Sequence, residues 1–470
     1  MKSSSPYRLI VLIGLCLIFA CEDVTIFAEP ERPQAQEVEV AETVGVCMID
    51  ADCPQWLCVG SSCQEGVCVP ERFRQPALSL EPIFLEDTVV SISMDKDRLI
   101  ALAGEVKSMA MMSEEDSEQS TRLTQVPLSL GIGKEILQWE LTAPYPEADS
   151  TQAQVKEYEE ATWQKKNPWT PNLTKVINTV SLDPDEPNTT NEVALDLRAL
   201  SLQNGRVWLH AGEQVKDLWW GNYGQTSAQG KFFGLASPIQ DLIVDEDEVW
   251  VSIFDKGLER LALTVTPTED DDEDASQQAN ARFNTPGRAL SAQAGRSFVV
   301  VADGYAGLSL FNKRAGSSLE TLNPARRLVT PPQELSSAGR TVHLDLVEDR
   351  IITAEYGLGF SLVRVNTEGG LQHELTMALD GIVRWVKWVD PYTALVWVDG
   401  RGIVALDLLT KDQIPVIIAE ETLPNMETET TTSETEVEAA IWTASGSRFA
   451  LLTPQGSLYH GGLSCAARDE

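Results

Sequence analysis

One cadence recurs along most of this chain. IQDLIVDEDEVWVSIFDKGLERLAL from Ile239, RALSAQAGRSFVVVADGYAGLSLFN from Arg288 and TVHLDLVEDRIITAEYGLGFSLVRV from Thr341 share it. Each has an alternating apolar run, a polar turn, a short apolar run, a glycine-containing turn and a second alternating run. VRWVKWVDPYTALVWVDGRGIVALDL from Val383 and EAAIWTASGSRFALLTPQGSLYHGG from Glu438 continue it. Two earlier copies start at Val90 and Val193. Period-2 alternation of β-branched and aromatic residues between Gly, Asp and Asn turns predicts antiparallel hairpins and an all-β chain.

The second strands of the copies are expected to begin near Leu99, Val207, Val249, Phe298, Ile351, Ala394 and Arg448, at spacings of 108, 42, 49, 53, 43 and 54 residues. Spacings of 42–54 suit four-stranded units arranged radially, as in a β-propeller. The 108-residue interval predicts either a degraded unit or a long insertion between 110 and 190. Seven blades over residues 80–465 is the first expectation and eight the second. A string of β-sandwiches is the rival, but it requires domain linkers, and none is visible between 190 and 410. Within the cadence, VVVADGYAGLSLF (299–311) resembles the LVIVD-type propeller repeat, and ITAEYGLGFSLV and LVWVDGRGIVALDL resemble it more loosely. The resemblance implies a propeller and no particular function. Ala302, Gly304 and Gly307 are expected at strand ends where turns need φ > 0.

The amino terminus, MKSSSPYRLIVLIGLCLIFA, has Lys2 and Arg8 ahead of a short apolar run, Leu9 to Ala20, which reads as a secretory signal. The junction Ala20-Cys21 resembles the bacterial lipobox, which implies cleavage before Cys21 and its acylation. The alternative is an ordinary secreted chain cut near Ala20 or Ala28. Acyl chains supply about 0.8 kcal/mol per buried methylene, enough in combination to anchor without a membrane span. Residues 21–45, rich in Glu, Pro and Gln, predict a disordered tether. The expected location is the bacterial envelope, at the outer membrane, with envelope or surface proteins as partners. Without the signal the formal charge is 34 − 71 = −37, which makes nucleic acid a poor partner.

Five of the eight cysteines, Cys47, Cys53, Cys58, Cys63 and Cys68, fall within residues 46–72, and the remaining long stretch holds only Cys465. Their spacing lacks CxxC knuckles, and an exported chain meets oxidising conditions, so a disulfide module is expected rather than a zinc site. Cys47, Asp50, Asp52, Cys53, Pro54, Cys58 and Cys68 resemble the CxxDxDCP modules of predicted myxobacterial surface proteins. With Cys21 on lipid, six thiols remain; if all pair, one local cysteine reaches Cys465. Cys63, which the family pattern lacks, is the partner that the resemblance implies.

Chemistry is sparse. The four histidines, His210, His343, His373 and His460, form no metal-ligand spacing, and no GxSxG elbow occurs. His210 and His343 are expected as structural imidazoles in strands. Asp245, Asp303, Glu355 and Asp399 lie at strand ends and could ring a propeller mouth and hold Ca²⁺, as in some propeller hydrolases; the plainer expectation is turn capping. The acidic runs 268–276 and 427–436 read as solvated loops, because neither has the spacing of a calcium loop. Trp219, Trp220, Trp385, Trp388 and Trp397 are expected in the core or at the mouth, and the repeated blade-docking motif of quinone-binding propellers is missing. These readings favour a protein-interaction or scaffold module without catalytic residues. A lactonase-like hydrolase is the alternative, and a structural envelope part a third.

Overall fold

A computed structural model describes residues 53, 59–72, 74–85, 87–106, 131–145, 152–171, 174–179, 189–194, 197–211, 217–224, 230–232, 239–245, 248–253, 257–262, 281–313, 340–366, 370–409, 415–421, 441–453 and 456–467. The chain is all-β, with antiparallel pairing throughout. Sheet 1 comprises Val89–Asp95, Arg98–Val106, Gly131–Leu141 and Trp163–Lys165. Sheet 2 comprises Leu197–Gln203, Arg206–Ala211, Asp217–Asn222 and Gly230–Phe232, and the pair Leu197–Gly133 joins it to sheet 1. Sheet 3 runs Ile239–Asp245, Glu248–Ile253, Gly257–Ala262 and Ala281–Phe283; sheet 4 runs Ser291–Ala294, Phe298–Ala302 and Leu308–Asn312. Sheet 5 is Arg340–Val347, Arg350–Tyr356, Gly359–Val365 and Leu371–Met377. Sheet 6 is Val383–Asp390, Thr393–Val398, Gly402–Asp407 and Val416–Glu421.

Sheet 7 is built from both ends of the chain. Ile441–Ser445, Arg448–Leu452 and Leu458–Ala467 are completed by Arg74–Ile83, which pairs with the last strand from Arg74–Ala467 to Ile83–Leu458. The second strands begin within one residue of the positions read from the sequence.

The cores lie between consecutive sheets. One cluster joins sheets 7, 1 and 2 through Leu452, Val90 and Leu209. Further clusters join sheets 2 and 3 (Trp208 on Val249), 3 and 4 (Trp250 on Val299), and 4 and 5 (Val300 on Leu344). Two more join sheets 5 and 6 (Phe360 on Val396) and 6 and 7 (Trp397 on Phe449). Both faces of these strands are therefore buried, as the near-continuous apolar runs require; Thr393–Val398 is buried at every position. Each such Val, Leu or Ile contributes about 1.5–3 kcal/mol. Two third strands start on an obligatory glycine. Gly257 has φ 88° and Gly359 φ 107°, and a Cβ at either would sit 2.2 Å from the Phe283 carbonyl oxygen or 2.0 Å from that of Met377.

Among the described residues, the 110–190 interval adds no further four-stranded sheet to the series. Gly131–Leu141 and Trp163–Lys165 complete sheet 1, and between them stands a short helix, Gln152–Glu159. A separate hairpin pairs Thr174–Thr179 with Thr189–Ala194. Trp163–Lys165 pairs with Gly131–Leu141, and Trp169 forms a further bridge to Ile136. The helix is fixed by Arg448, whose guanidinium stacks on Tyr158 (5.6 Å) and donates to the Tyr158 carbonyl at 2.9 Å.

Ahead of Arg74, Val59–Gln64 and Val67–Arg72 form a hairpin turning at Glu65 (φ 53°) and Gly66 (φ 84°), the positive-φ pair of a tight hairpin turn. Cys53 and Cys68 are disulfide-bonded, and Cys63 also lies in a disulfide. Cys465 stands opposite Pro76 in the closing strand pair. The signal, Cys21, the tether, Cys47, Cys58 and both acidic runs lie outside the described residues, as does the Cys465 side chain.

Candidate functional site

The first strands of the seven sheets are neighbours in chain order, and that of sheet 7 also neighbours that of sheet 1. They enclose a cavity of about 610 Å³ to which every sheet contributes, from Ser93 and Gln203 through Asp241 and Gln293 to His343, Lys387 and Thr443. Alternation puts every second residue of these strands on the cavity side. A second device reaches the same wall. Five first strands skip one residue of register at equivalent places: Val90, Arg198, Gln240, Val342 and Arg384. Such bulges re-aim a side chain, and Gln240, Val342 and Arg384 line the cavity.

Side chains on one first strand hydrogen-bond the next. Ser91 Oγ and Ser93 Oγ accept the backbone N–H groups of Leu200 (3.3 Å) and Leu202 (2.8 Å), and Asp95 accepts that of Gly205 (3.1 Å). Gln203 accepts from Val244 N–H at 2.8 Å and donates to the Leu242 carbonyl. Asp241 accepts from Ser291 Oγ and Ala292 N–H, both at 3.0 Å. Gly304 and Thr341 exchange backbone bonds of 3.1 and 3.2 Å, and Asp345 accepts Trp388 N–H at 2.8 Å. Thr443 Oγ1 and Ser445 Oγ accept from Met94 and Lys96 N–H, both at 2.7 Å. These bonds satisfy backbone groups that the ladders within each sheet leave open.

Two cations stand in the wall. Lys387 donates one N–H to Asp345 (3.0 Å), and Arg384 gives its Nε–H to Asp399 while stacking on Tyr356 (5.5 Å). The carboxylates facing the cavity already accept from protein donors: Asp95 and Asp241 as above, Asp245 from Lys313. Burial pushes the Asp241 carboxyl up, against its hydrogen bonds and the Lys387 charge. His210 is buried with Nε2 3.2 Å from Ser201 Oγ, and desolvation lowers its pKa to about 4. Desolvation, helped by Lys387, takes His343 down to about 3. Both imidazoles are wall components, as expected, but each keeps an Nδ1 without a hydrogen bond, so they are only half satisfied.

The four carboxylates proposed as a mouth ring are not brought together. Asp245 ends a first strand, opposite Glu248 at the hairpin, whereas Asp303, Glu355 and Asp399 stand where second strands finish, at the other end of the strand pair. Asp303 accepts from Gly287 N–H (3.1 Å) and Ser309 Oγ (2.9 Å); Glu355 accepts from Thr353 (2.7 Å) and Thr341 (3.1 Å). Asp399 accepts from Trp397 Nε1 at 3.0 Å. They are turn and strand caps. Among the described residues no three His, Cys, Asp or Glu side chains are placed to hold a metal ion. Trp385, Trp388 and Trp397 are core, as are Trp208 and Trp250. Sequence reading missed Lys387 and Arg384; their signal was a charge inside the otherwise apolar VRWVKWV run.

No protein-family model matches the chain, and no curated protein matches it.

Proposed function

We propose that the seven sheets are the blades of a β-propeller of the LVIVD type, and that the protein is a lipid-anchored bacterial envelope module that binds and holds other proteins. One observation carries the reading. The strand Arg74–Ile83, which precedes all six other sheets in sequence, completes the sheet that holds Leu458–Ala467. That closure, with cores between each sheet and the next, is what a ring requires, since a full circle leaves no sheet face uncovered. The wall chemistry supports holding rather than turnover, because its carboxylates serve as structural acceptors.

The anchor is tested by Cys21→Ser, which is expected to leave the detergent phase; unchanged partitioning would refute lipidation. The binding role is tested by cross-linking in intact cells with mapping of the linked peptides. Links from one end of the ring to a recurring envelope protein support it, and links scattered over all sheets would overturn it.

A further inference from the structure

The cavity walls are unequal in what they still offer. Among the described residues, each carboxylate that faces the cavity already accepts a hydrogen bond from the protein: Asp95 from Gly205, Asp241 from Leu242, Ser291 and Ala292, Asp245 from Lys313. The donors are less fully engaged. Among the described residues, Lys387 uses one of three N–H groups, on Asp345, and Arg384 uses Nε on Asp399, leaving both terminal nitrogens of its guanidinium. The two cations stand three residues apart on one first strand. The skipped register at Arg384 turns it toward the cavity that Lys387 faces by alternation. Trp385 lies between them on the same wall.

We propose that the cavity binds a small molecule carrying a carboxylate or phosphate oxyanion, held by the free guanidinium nitrogens of Arg384 and the remaining N–H groups of Lys387. A guanidinium that meets a protein carboxylate through Nε presents its other edge as a fork, which matches two oxygens of one oxyanion. The volume, about 610 Å³, admits a compact organic acid with its water. Each cation is already paired with one aspartate, and Asp95 and Asp241 add further carboxylates to the wall, so binding is weak, with a dissociation constant on the order of 1 mM. The large negative charge of the chain does not by itself prevent it, because fields of exposed charges are screened over about 8 Å at physiological ionic strength. The site stands on the cavity and is independent of the lipid anchor and of any protein partner.

The test is isothermal titration of the full chain, purified in detergent, with succinate and separately with inorganic phosphate, following tryptophan fluorescence in parallel. Saturable binding of either anion is expected, and which binds identifies the oxyanion. Arg384→Gln and Lys387→Gln are each expected to weaken it at least about tenfold while thermal unfolding stays cooperative. Gln at 387 can still donate to Asp345, so that variant reads the site even if Arg384→Gln fails to fold. No saturable binding of either anion up to about 10 mM, or affinities unchanged within about twofold in the folded variants, overturns the proposal.

Discussion

Thr443 Oγ1 accepts the backbone N–H of Met94 at 2.7 Å, across 349 positions of sequence. The bond crosses between the last sheet and the first, joining strands from distant parts of the sequence. Thr443→Val keeps the shape and removes the acceptor, leaving a partly buried N–H without a partner. It is expected to cost about 1–3 kcal/mol and to lower the unfolding midpoint by a few degrees, while Thr443→Ser stays near wild type. Equal midpoints for Val and Ser in differential scanning calorimetry would show that the bond contributes nothing.

The closing strand provides the second test. Leu78 and Leu80 pack against the core between sheets 6 and 7. Leu80→Asp sets an unpaired charge against that core, and the strand should detach and expose Leu458–Ala467 as an open edge. Amide exchange is expected to speed up over 458–467 well before it does in sheet 4. Uniform exchange, unchanged from wild type, would show the strand to be dispensable.

Glu355 supplies a pH signature. Burial raises its pKa above the ordinary 4.5, against hydrogen bonds from Thr353 and Thr341. The folded state therefore holds the proton more tightly than the unfolded chain. The stabilisation is complete below the unfolded value and is lost as pH rises through the folded one. Glu355→Gln, which keeps a carbonyl acceptor for both threonines, should improve relative to wild type on going from pH ~4 to ~7. A constant difference in midpoint across that range would remove Glu355 as a source of pH dependence.

His210 has the opposite sign. Desolvation lowers its pKa from 6.5 to about 4, so the unfolded chain takes up the proton first. Stability falls as pH drops from 6.5 and levels off below about 4. His210→Gln should flatten the wild-type loss in that window when midpoints are compared by circular dichroism. A variant with the same slope as wild type would place the acid sensitivity elsewhere.

The cysteines offer a chemical test. Cys53–Cys68 is formed, and Cys63 is also bonded. Cys465 stands beside Pro76 in the strand pair that joins the two ends of the chain. A disulfide from the amino-terminal segment to Cys465 would close a loop of about 400 residues and add roughly 5–6 kcal/mol by the chain-entropy model. Non-reducing peptide mapping should find Cys465 linked to a peptide from residues 46–72. A free thiol there would remove the clamp.

The sequence alone determined the strands. Short apolar runs such as IITAEY and FVVVA, with turns at Gly304 and Gly357, fix hairpins because strand propensity and a positive φ are local properties of the backbone. Both turn glycines do have positive φ, 57° and 81°. The spacing of the second strands was legible too, except across 110–190. There an insertion with its own helix breaks the cadence, and the helix, anchored by Arg448 from the far end of the chain, has too little periodic signal of its own. Tertiary structure decided the rest. Nothing local in RQPALSLEPI says that it pairs with Leu458–Ala467, because strand pairing depends on which edge is left open. Nor could spacing show that Asp245 and Asp303 sit at opposite ends of their strand pairs, since both precede a turn. The turn that each precedes differs, first to second strand in one case and second to third in the other. The bulge that turns Arg384 toward the cavity is likewise a matter of register between two strands, fixed only when they meet.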